Sequence, residues 1–233
     1  MAHIGRIFAD EAGMLHAMRA CAPNPAIESA GQRNYLSLVS VPRPSKKRPR
    51  HQSRPPRSNA MKETLKVINE MQAAGVIGRY AIGGAVGSIF YLEPFGTQDV
   101  DIFVALPRSP DGALLTLGPI YEYLLPRGYK TEAEYIIIGG WPVQFVPPGK
   151  PLVEEALAEA VEHQVEGLPT RVFTAEHLAA ICLDVGRTKD ISRLVKFIED
   201  GVLDPAKFDA IVRRHRLLAK WRNFKNKYLP LKP

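Results

Sequence analysis

The sequence predicts an α/β (α+β) fold in which a small mixed sheet with flanking helices carries a polar site, followed by an α-helical C-terminal part. Three observations predict this fold. Residues 80–106 combine short apolar runs with a double glycine and an aspartate pair. Residues 134–146 have the pattern of a β-hairpin, and the chain beyond residue 150 is rich in helix-forming residues. We therefore expect a sheet-bearing core at 61–150 and a helical part at 151–233.

The first part of the polar site is a glycine pair after a short strand. Residues 80–82 are apolar and predict a strand, and residues 85–90 are predicted to be helical. Between them, Gly83 and Gly84 let the backbone approach a ligand without a Cβ in the way. The N-terminus of the following helix offers free N–H groups, which suit a phosphate.

The second part of the site is a pair of aspartates after a turn at 93–96. Asp99 and Asp101 are two residues apart at the start of an apolar run, so a strand directs both carboxylates to the same side. Two hard oxygen ligands on one face suit Mg²⁺ bound together with the phosphates of a nucleotide.

This order of elements resembles the signature of the nucleotidyltransferase fold, a hydrophobic-Gly-Gly/Ser element followed about a dozen residues later by Asp-hydrophobic-Asp/Glu. Fourteen residues separate Gly84 from Asp99, which is at the long end of that pattern. Within residues 61–200, the chain resembles AbiEii-like and other minimal bacterial nucleotidyltransferases. The sequence GRTKD at 186–190 supports this resemblance, because that group often carries an R-x-K/R-D stretch.

The resemblance implies a Mg²⁺-dependent transfer of an NMP from an NTP to an acceptor hydroxyl. The NTP phosphates would lie on the turn at Gly83 and Gly84, near Ser88, and Asp99 and Asp101 would bind the metal. The acceptors known for such proteins are RNA ends (tRNA for some toxins), protein hydroxyls and small molecules. A toxin of this kind would also have a small antitoxin protein as its partner.

A second group of candidate site residues is Arg187, Lys189 and Asp190. In the proteins that the chain resembles, a cation from this helical part contacts the triphosphate and the aspartate helps to hold the site. Arginine suits bidentate phosphate contact, and lysine acts as a point charge. The alternative is a solvent-facing loop in which Lys189 and Asp190 only cap the next helix. The sequence leaves both interpretations open.

Two residues depart from the resemblance. The return strand of the predicted hairpin has Gln144 where nucleotidyltransferases usually have a third carboxylate, so the position has neither a charge nor a base. Cys182 stands where related proteins often have a lysine, and its apolar surroundings predict that it is buried. These departures favour a second hypothesis, a catalytically decayed module that binds nucleotide or RNA without transfer.

The net charge of +7 belongs to the N-terminal stretch. Of 31 Lys or Arg and 24 Asp or Glu, residues 1–60 contain ten and three, which leaves 21 of each for the rest of the chain. This basic, Pro/Arg-rich extension is predicted to be disordered. Three interpretations are open: a tail that contacts nucleic acid, a transit-like segment, or translation from a start codon upstream of the true start at Met61. We favour the last, because a clean helix is predicted to begin at Met61.

Other features exclude several classes of protein. The sequence has no apolar run of the ~18 residues that a membrane span needs and no secretory signal. Its two cysteines, Cys21 and Cys182, are typical of reduced thiols in the cytoplasm, where we expect the protein. The histidines lack the spacing of a zinc site.

Apolar periodicity and end signals predict the remaining elements. Helices are expected at five places, residues 62–74, 113–125, 151–165, 174–185 and 190–199. Residues 168–173 are predicted to be an extended link. A last helix is expected to begin with Asp204 as N-cap and to continue to about Tyr228. Its aromatic residues are expected to pack on the body, and its basic face to be solvated or to contact RNA phosphates.

Overall fold

The computed structural model describes residues 60–106 and 116–229. The predictions made for the basic extension lie outside the described residues. The helices and strands of the described residues are, in chain order, α1 (Ala60–Ala73), β1 (Tyr80–Ile82), α2 (Gly84–Ile89), β2 (Val100–Val104), α3 (Gly118–Leu124), β3 (Lys130–Glu132), β4 (Tyr135–Ile138), β5 (Trp141–Val146), α4 (Pro151–Ala158), β6 (Val161–Val165), β7 (Leu168–Val172), α5 (Ala175–Val185), α6 (Thr188–Glu199), α7 (Pro205–Arg214) and α8 (Leu218–Tyr228).

The described strands form one mixed sheet in the order β3-β4-β5-β2-β1-β7-β6. The pairs β2–β5 and β1–β7 are parallel, and the other pairs are antiparallel. This confirms the predicted α/β class and the predicted hairpin at 134–146. Strand β2, which contains Asp101, lies at the centre of the sheet.

The sheet has a core on each face, and the alternation of side chains along β2 separates them. Val100, Ile102 and Val104 are buried in the cluster that contains the apolar face of α1. Phe103 points the other way and packs against the cluster formed by α4 to α8. Asp101 lies between Val100 and Ile102, so its side chain is also directed to the face that the C-terminal helices cover.

The prediction of a helix over 151–165 was wrong in its second half. The helix α4 ends at Ala158, and the chain then forms the β6–β7 hairpin through a turn at Glu166 and Gly167, whose φ values of 50° and 78° are both positive. The predicted extended link is strand β7, which joins the sheet beside β1. The sequence of β6 has apolar residues only at its two ends, so it does not show the alternation that predicts a strand.

The last predicted helix is two helices. Asp204 caps α7 as expected, since its side chain accepts from the backbone N–H groups of Ala206 and Lys207. The helix ends at Arg214, and Arg216 has a φ of 58°, a left-handed conformation that a continuous helix does not allow. The chain therefore turns before α8 begins at Leu218.

Two smaller boundaries also differ from expectation. Gly118 and Pro119 begin α3 rather than interrupting it, because proline is tolerated in the first turn of a helix. The part of the longer predicted helix that precedes Thr116 lies outside the described residues. The helix α6 begins at Thr188, two residues before the predicted start.

The Asp204 cap provides a test of this fold. Replacing Asp204→Ala is expected to lower the free energy of unfolding by about 1 kcal/mol, because two N–H groups of α7 lose their acceptor. Urea denaturation would measure the change. The matched control is Asp209→Ala, which removes only an exposed ion pair with Arg213 and should cost less than about 0.5 kcal/mol. Equal losses for the two variants would contradict the assigned helix start.

Candidate active site

A cavity of about 640 Å³ lies where β2 and β5 meet the helices α5 and α6. Its lining brings together the two groups of residues that the sequence analysis treated separately. The predicted site residues that line it are Gly84, Asp99, Asp101, Arg187, Lys189 and Asp190, together with the two departures Gln144 and Cys182.

Gly84 allows the aspartate pair to sit against the glycine turn. Its φ of 55° favours glycine, and a Cβ at this position would collide with the Asp101 carboxylate. The Gly83 N–H donates to the Asp101 carbonyl at 3.0 Å, which fixes the turn to the central strand. The sequence predicted that a ligand would approach this backbone closely. In the structure, the Asp101 carboxylate lies in that place.

Ser88, which was predicted to lie near bound phosphates, is not among the residues that line the cavity. The residue is fully buried, and its hydroxyl donates to the carbonyl of Gly84 at 2.8 Å within α2. A serine one turn into a short helix commonly satisfies its hydroxyl in this way. The side chain is thus directed into the body of the protein.

Asp99 is held by two neighbouring hydroxyl groups. Tyr135 Oη donates to one carboxylate oxygen at 3.3 Å, and Thr97 Oγ1 lies 3.4 Å from the other. Tyr135 comes from the first strand of the hairpin, and the sequence analysis missed it. Its side chain faces the same side of the sheet as Gln144, because β4 and β5 are adjacent strands with alternating burial.

Gln144 lies directly beside Asp101 in the parallel pairing of β2 with β5. This is the position at which the sequence analysis expected a third carboxylate. A neutral amide here offers a carbonyl oxygen to a cation, but it cannot take up a proton.

Asp190 organises the cationic side of the cavity. It is only 3% exposed and accepts from Arg187 Nε at 2.7 Å and from Arg193 Nη1 at 3.5 Å. Arg187, not Asp190, is the N-cap of α6, so the interpretation of Asp190 as a cap in a solvent-facing loop was wrong. Lys189 is exposed at the same helix start and lines the cavity, where its charge acts on the Asp101 carboxyl.

Arg193 is the cationic residue that the sequence analysis missed. It follows Lys189 by four residues and Asp190 by three on α6, a spacing that places all three on one side of the helix. Its side chain is 12% exposed, and its guanidinium lies 5.5 Å from the centre of the Phe95 ring. The periodicity of α6 was the signal that would have found it.

Cys182 is buried, as the sequence predicted, and it lines the cavity from α5. Burial raises the pKa of its thiol to about 11, with the positive charge of Arg193 acting in the opposite direction. The thiol is therefore protonated at neutral pH. The cation next to this position is supplied by Arg193 from α6.

The charges around Asp101 indicate a site prepared for a cation. Burial raises the pKa of the Asp101 carboxyl, and the neighbouring charge of Asp99 raises it further, although Lys189, Arg193 and Arg187 act in the opposite direction. The nearby side-chain cations therefore do not compensate fully for two adjacent carboxylates. A divalent metal ion with oxygen ligands fits this donor set.

A second cavity, of about 720 Å³, lies on the other side of Asp99. It shares Lys189 and Arg193 with the first cavity and adds Lys196 from the next turn of α6. Three cations and a single acid line it, so this cavity suits an anionic ligand.

A separate acidic and histidine group, Glu155, Glu159 and His177, lies within 4.8 Å ligand to ligand. Arg214 and His215 hydrogen-bond to the Glu155 carboxylate, and with His177 they hold its pKa at about 2. Burial lowers the pKa of His177, which is therefore neutral at pH 7. The oxygens of Glu155 are already engaged, so these contacts describe a hub that joins α4, α5 and α7 rather than a metal site.

Comparison with known proteins supports the fold. No protein-family model and no curated protein matches the sequence. The chain is similar in structure to an antigenic nucleotidyltransferase-like protein from Paracoccidioides brasiliensis, with 17% identity, 75% of this chain and 91% of that chain covered, and a TM-score of 0.56. The fold is nucleotidyltransferase-like.

Two structures of the antibiotic-resistance factor ANT(2'')-Ia also match, at lower similarity. A crystal structure in complex with adenylyl-2''-tobramycin has 17% identity, covers 66% of this chain and 97% of that chain, and has a TM-score of 0.40. A solution structure has 14% identity, covers 73% of this chain and 98% of that chain, and has a TM-score of 0.42.

Among the described residues, no helix has the length and apolar character needed to cross a bilayer.

The raised pKa of Asp101 predicts a pH-dependent effect of removing its charge. An aspartate whose folded-state pKa is raised costs stability above that pKa, and the cost disappears below the unfolded value of about 3.9. In metal-free buffer, Asp101→Asn is therefore expected to have a higher Tm than the parent at pH 8, with the difference shrinking towards pH 4.

The control for this measurement is Asp209→Asn, which alters an exposed aspartate paired with Arg213. We expect no gain in Tm from this variant at pH 8. A Tm for Asp101→Asn that lies below the parent at pH 8 would contradict the electrostatic description of the site.

Proposed function

We propose that this protein transfers an NMP from an NTP to an acceptor hydroxyl with the help of Mg²⁺. The observation that carries the proposal is the position of Asp99 and Asp101, two adjacent carboxylates at a cavity whose opposite wall is cationic. The nucleotidyltransferase-like fold is consistent with it. Asp99 and Asp101 are the proposed metal ligands. Bound there, the metal would orient the α-phosphate and stabilise charge on the leaving pyrophosphate.

The second cavity, which is lined by Lys189, Arg193 and Lys196, is the proposed site of the triphosphate. Lys189 and Arg193 line both cavities, so they stand at the boundary where the α-phosphate would meet the carboxylates. Arg187, paired with Asp190, is a further candidate for phosphate contact. The Gly83–Gly84 turn is a further proposed place for the phosphates, because Gly84 lines the first cavity beside the Asp101 carboxylate.

In the proposed reaction, the acceptor oxygen forms a bond to the α-phosphorus while the bond from that phosphorus to pyrophosphate breaks. The cations from α6 would stabilise the negative charge that develops on pyrophosphate. Gln144 has no basic atom, so the hydroxyl proton would pass to a carboxylate of the Asp99–Asp101 pair. Tyr135 and Thr97 would keep Asp99 oriented through their hydroxyl groups.

We further propose that the protein is an AbiEii-like enzyme and acts in the cytoplasm, where NTPs are available. This assignment rests on the motifs Gly83-Gly84, Asp99-Val100-Asp101 and GRTKD at 186–190. The acceptor classes that it allows are an RNA end such as that of tRNA, a protein hydroxyl and a small molecule. A role as the toxin of a toxin–antitoxin pair would add a small antitoxin as partner.

The second candidate function is binding of nucleotide or RNA without transfer. The neutral Gln144 beside Asp101 favours it, and so does the buried thiol of Cys182 in place of a lysine. Both functions require the cavity, but only the first requires turnover. One experiment therefore separates them.

The test of transfer uses the full chain with each α-³²P-labelled NTP, Mg²⁺, and total cellular RNA, protein and small molecules as acceptors. Label is expected in one acceptor fraction, and Asp99→Asn/Asp101→Asn should reduce it at least ~100-fold, because the metal site is lost. The matched control is Glu162→Gln/Glu166→Gln, which neutralises two exposed acids on the β6–β7 hairpin. Binding of NTP without label in any fraction would favour the second candidate.

Arg193 gives a second test of the proposed chemistry. Arg193→Ala is expected to lower kcat/KM for NMP transfer by ~100-fold or more, because a partly buried cation that faces the developing charge is removed. Arg193→Lys should recover part of that loss. Arg213→Ala, which alters an exposed arginine on α7, is the control and should change kcat/KM less than about twofold. An Arg193→Ala variant that is folded and as active as this control would contradict the assignment.

A further inference from the structure

The end of α7 and the whole of α8 form a basic segment. Residues 213–228 contain no acid and seven basic residues, which are Arg213, Arg214, Arg216, Lys220, Arg222, Lys225 and Lys227. The rest of the described residues contain 12 basic and 20 acidic residues, so this segment is where positive charge concentrates.

Three of these cations are neutralised by carboxylates of the body. Arg213 pairs with an aspartate on its own helix, Arg214 with the Glu155 hub, and Lys220 with Asp184. These pairs hold α7 and α8 in place. The other four basic residues therefore account for the remaining positive charge of the segment.

Four cations have no acidic partner among the residues that the structure describes, and all four are exposed: Arg216, Arg222, Lys225 and Lys227. Arg222 and Lys225 are three residues apart, so they lie on one side of α8. The opposite side packs on the body through the buried residues Leu217 and Phe224. Arg222 and Lys225 therefore form a cationic surface on one side of α8, and Lys227 adds a cation on another side near the end of the helix.

Aromatic rings accompany this cationic surface. Trp221 is half-buried and stacks on Phe224, and Lys225 Nζ lies 5.4 Å from the centre of the Trp221 ring. Tyr228 is 38% exposed at the end of the helix, with Lys227 Nζ 5.0 Å from its ring centre. Cations interleaved with accessible rings suit a ligand that has both phosphates and flat bases.

The basic helix α8 lies at the rim of the first cavity, which is lined by Asp99 and Asp101 and which we call the carboxylate cavity. Lys220 Nζ donates to the carboxylate of Asp184 at 2.6 Å, and Lys150 Nζ donates to its other oxygen at 2.7 Å. Lys150 and Asp184 both line the cavity that contains Asp99. Lys220 of α8 therefore contacts the rim of this cavity.

We propose that α8 is a docking surface for the phosphodiester backbone of single-stranded RNA, and that the end of this RNA enters the carboxylate cavity as the acceptor. The second clause rests on the proposed transfer function, whereas the first stands on α8 alone. A single strand is favoured because a cavity of about 640 Å³ admits a chain end and excludes a duplex. The unneutralised cations would replace the counterions of the phosphates.

The test compares two full-length variants that have the same change in charge. Arg222→Glu/Lys225→Glu/Lys227→Glu alters the proposed surface. Lys62→Glu/Lys66→Glu/Lys130→Glu alters three exposed lysines on α1 and β3 and serves as the control. Both keep the basic residues of the N-terminal extension, so any contribution from these residues is common to the two proteins.

Affinity for a fluorescein-labelled single-stranded RNA of 20 nucleotides is measured by anisotropy from 50 to 200 mM KCl. The α8 variant is expected to bind at least ~10-fold more weakly than the control, and the slope of log K against log[salt] should become shallower by about 2, which corresponds to three lost phosphate contacts. Equal affinities for the two variants would overturn the proposal. The Ala triple at the same α8 positions, checked by circular dichroism, should give a smaller change in the same direction.

Transfer to RNA separates this inference from the proposed function. If the parent labels RNA, the α8 variant should raise the KM for RNA and leave NTP affinity unchanged. If the parent labels only protein or small molecules, the role of α8 in presenting the acceptor is overturned although the transfer function holds. If the parent labels nothing while the α8 variant alone loses RNA affinity, the proposed function fails and the docking surface is supported.

Discussion

The burial of the Asp101 carboxylate beside Asp99 is the constraint on which the rest of the site depends. The carboxylate fits only because Gly84 has no side chain and holds a left-handed backbone conformation that glycine allows. Two acids in a partly buried position disfavour ionisation, and the raised pKa of Asp101 expresses that cost. The geometry therefore creates a place where a cation is needed, at the centre of the sheet.

The opposite wall of the cavity depends on a second buried acid. Asp190 holds Arg187 and Arg193, and the helical spacing of α6 adds Lys189 to the same side. One carboxylate thus orients two guanidinium groups, which would otherwise sample many rotamers. This arrangement gives the proposed NTP a rigid cationic surface that faces the metal ligands.

Gln144 and Cys182, the two departures from the resemblance, lie within the candidate site. Both line the cavity, so they are part of the site and not distant changes. At Cys182 the positive charge is present after all, because Arg193 reaches this place from the neighbouring helix. Gln144 itself is neutral and pairs with Asp101, so the proposed metal chemistry rests on the pair Asp99–Asp101.

The sequence by itself determined the central motif, the hairpin and the class of fold, because these depend on local signals: paired glycines, alternating aspartates, and apolar periodicity. Only the tertiary structure decided which side chains meet. It brought Tyr135 to Asp99 and placed Arg193 beside Cys182, since both positions depend on contacts between different elements. The β6–β7 hairpin also depends on the pairing of β7 with β1, because a short strand is stabilised by the sheet that it joins.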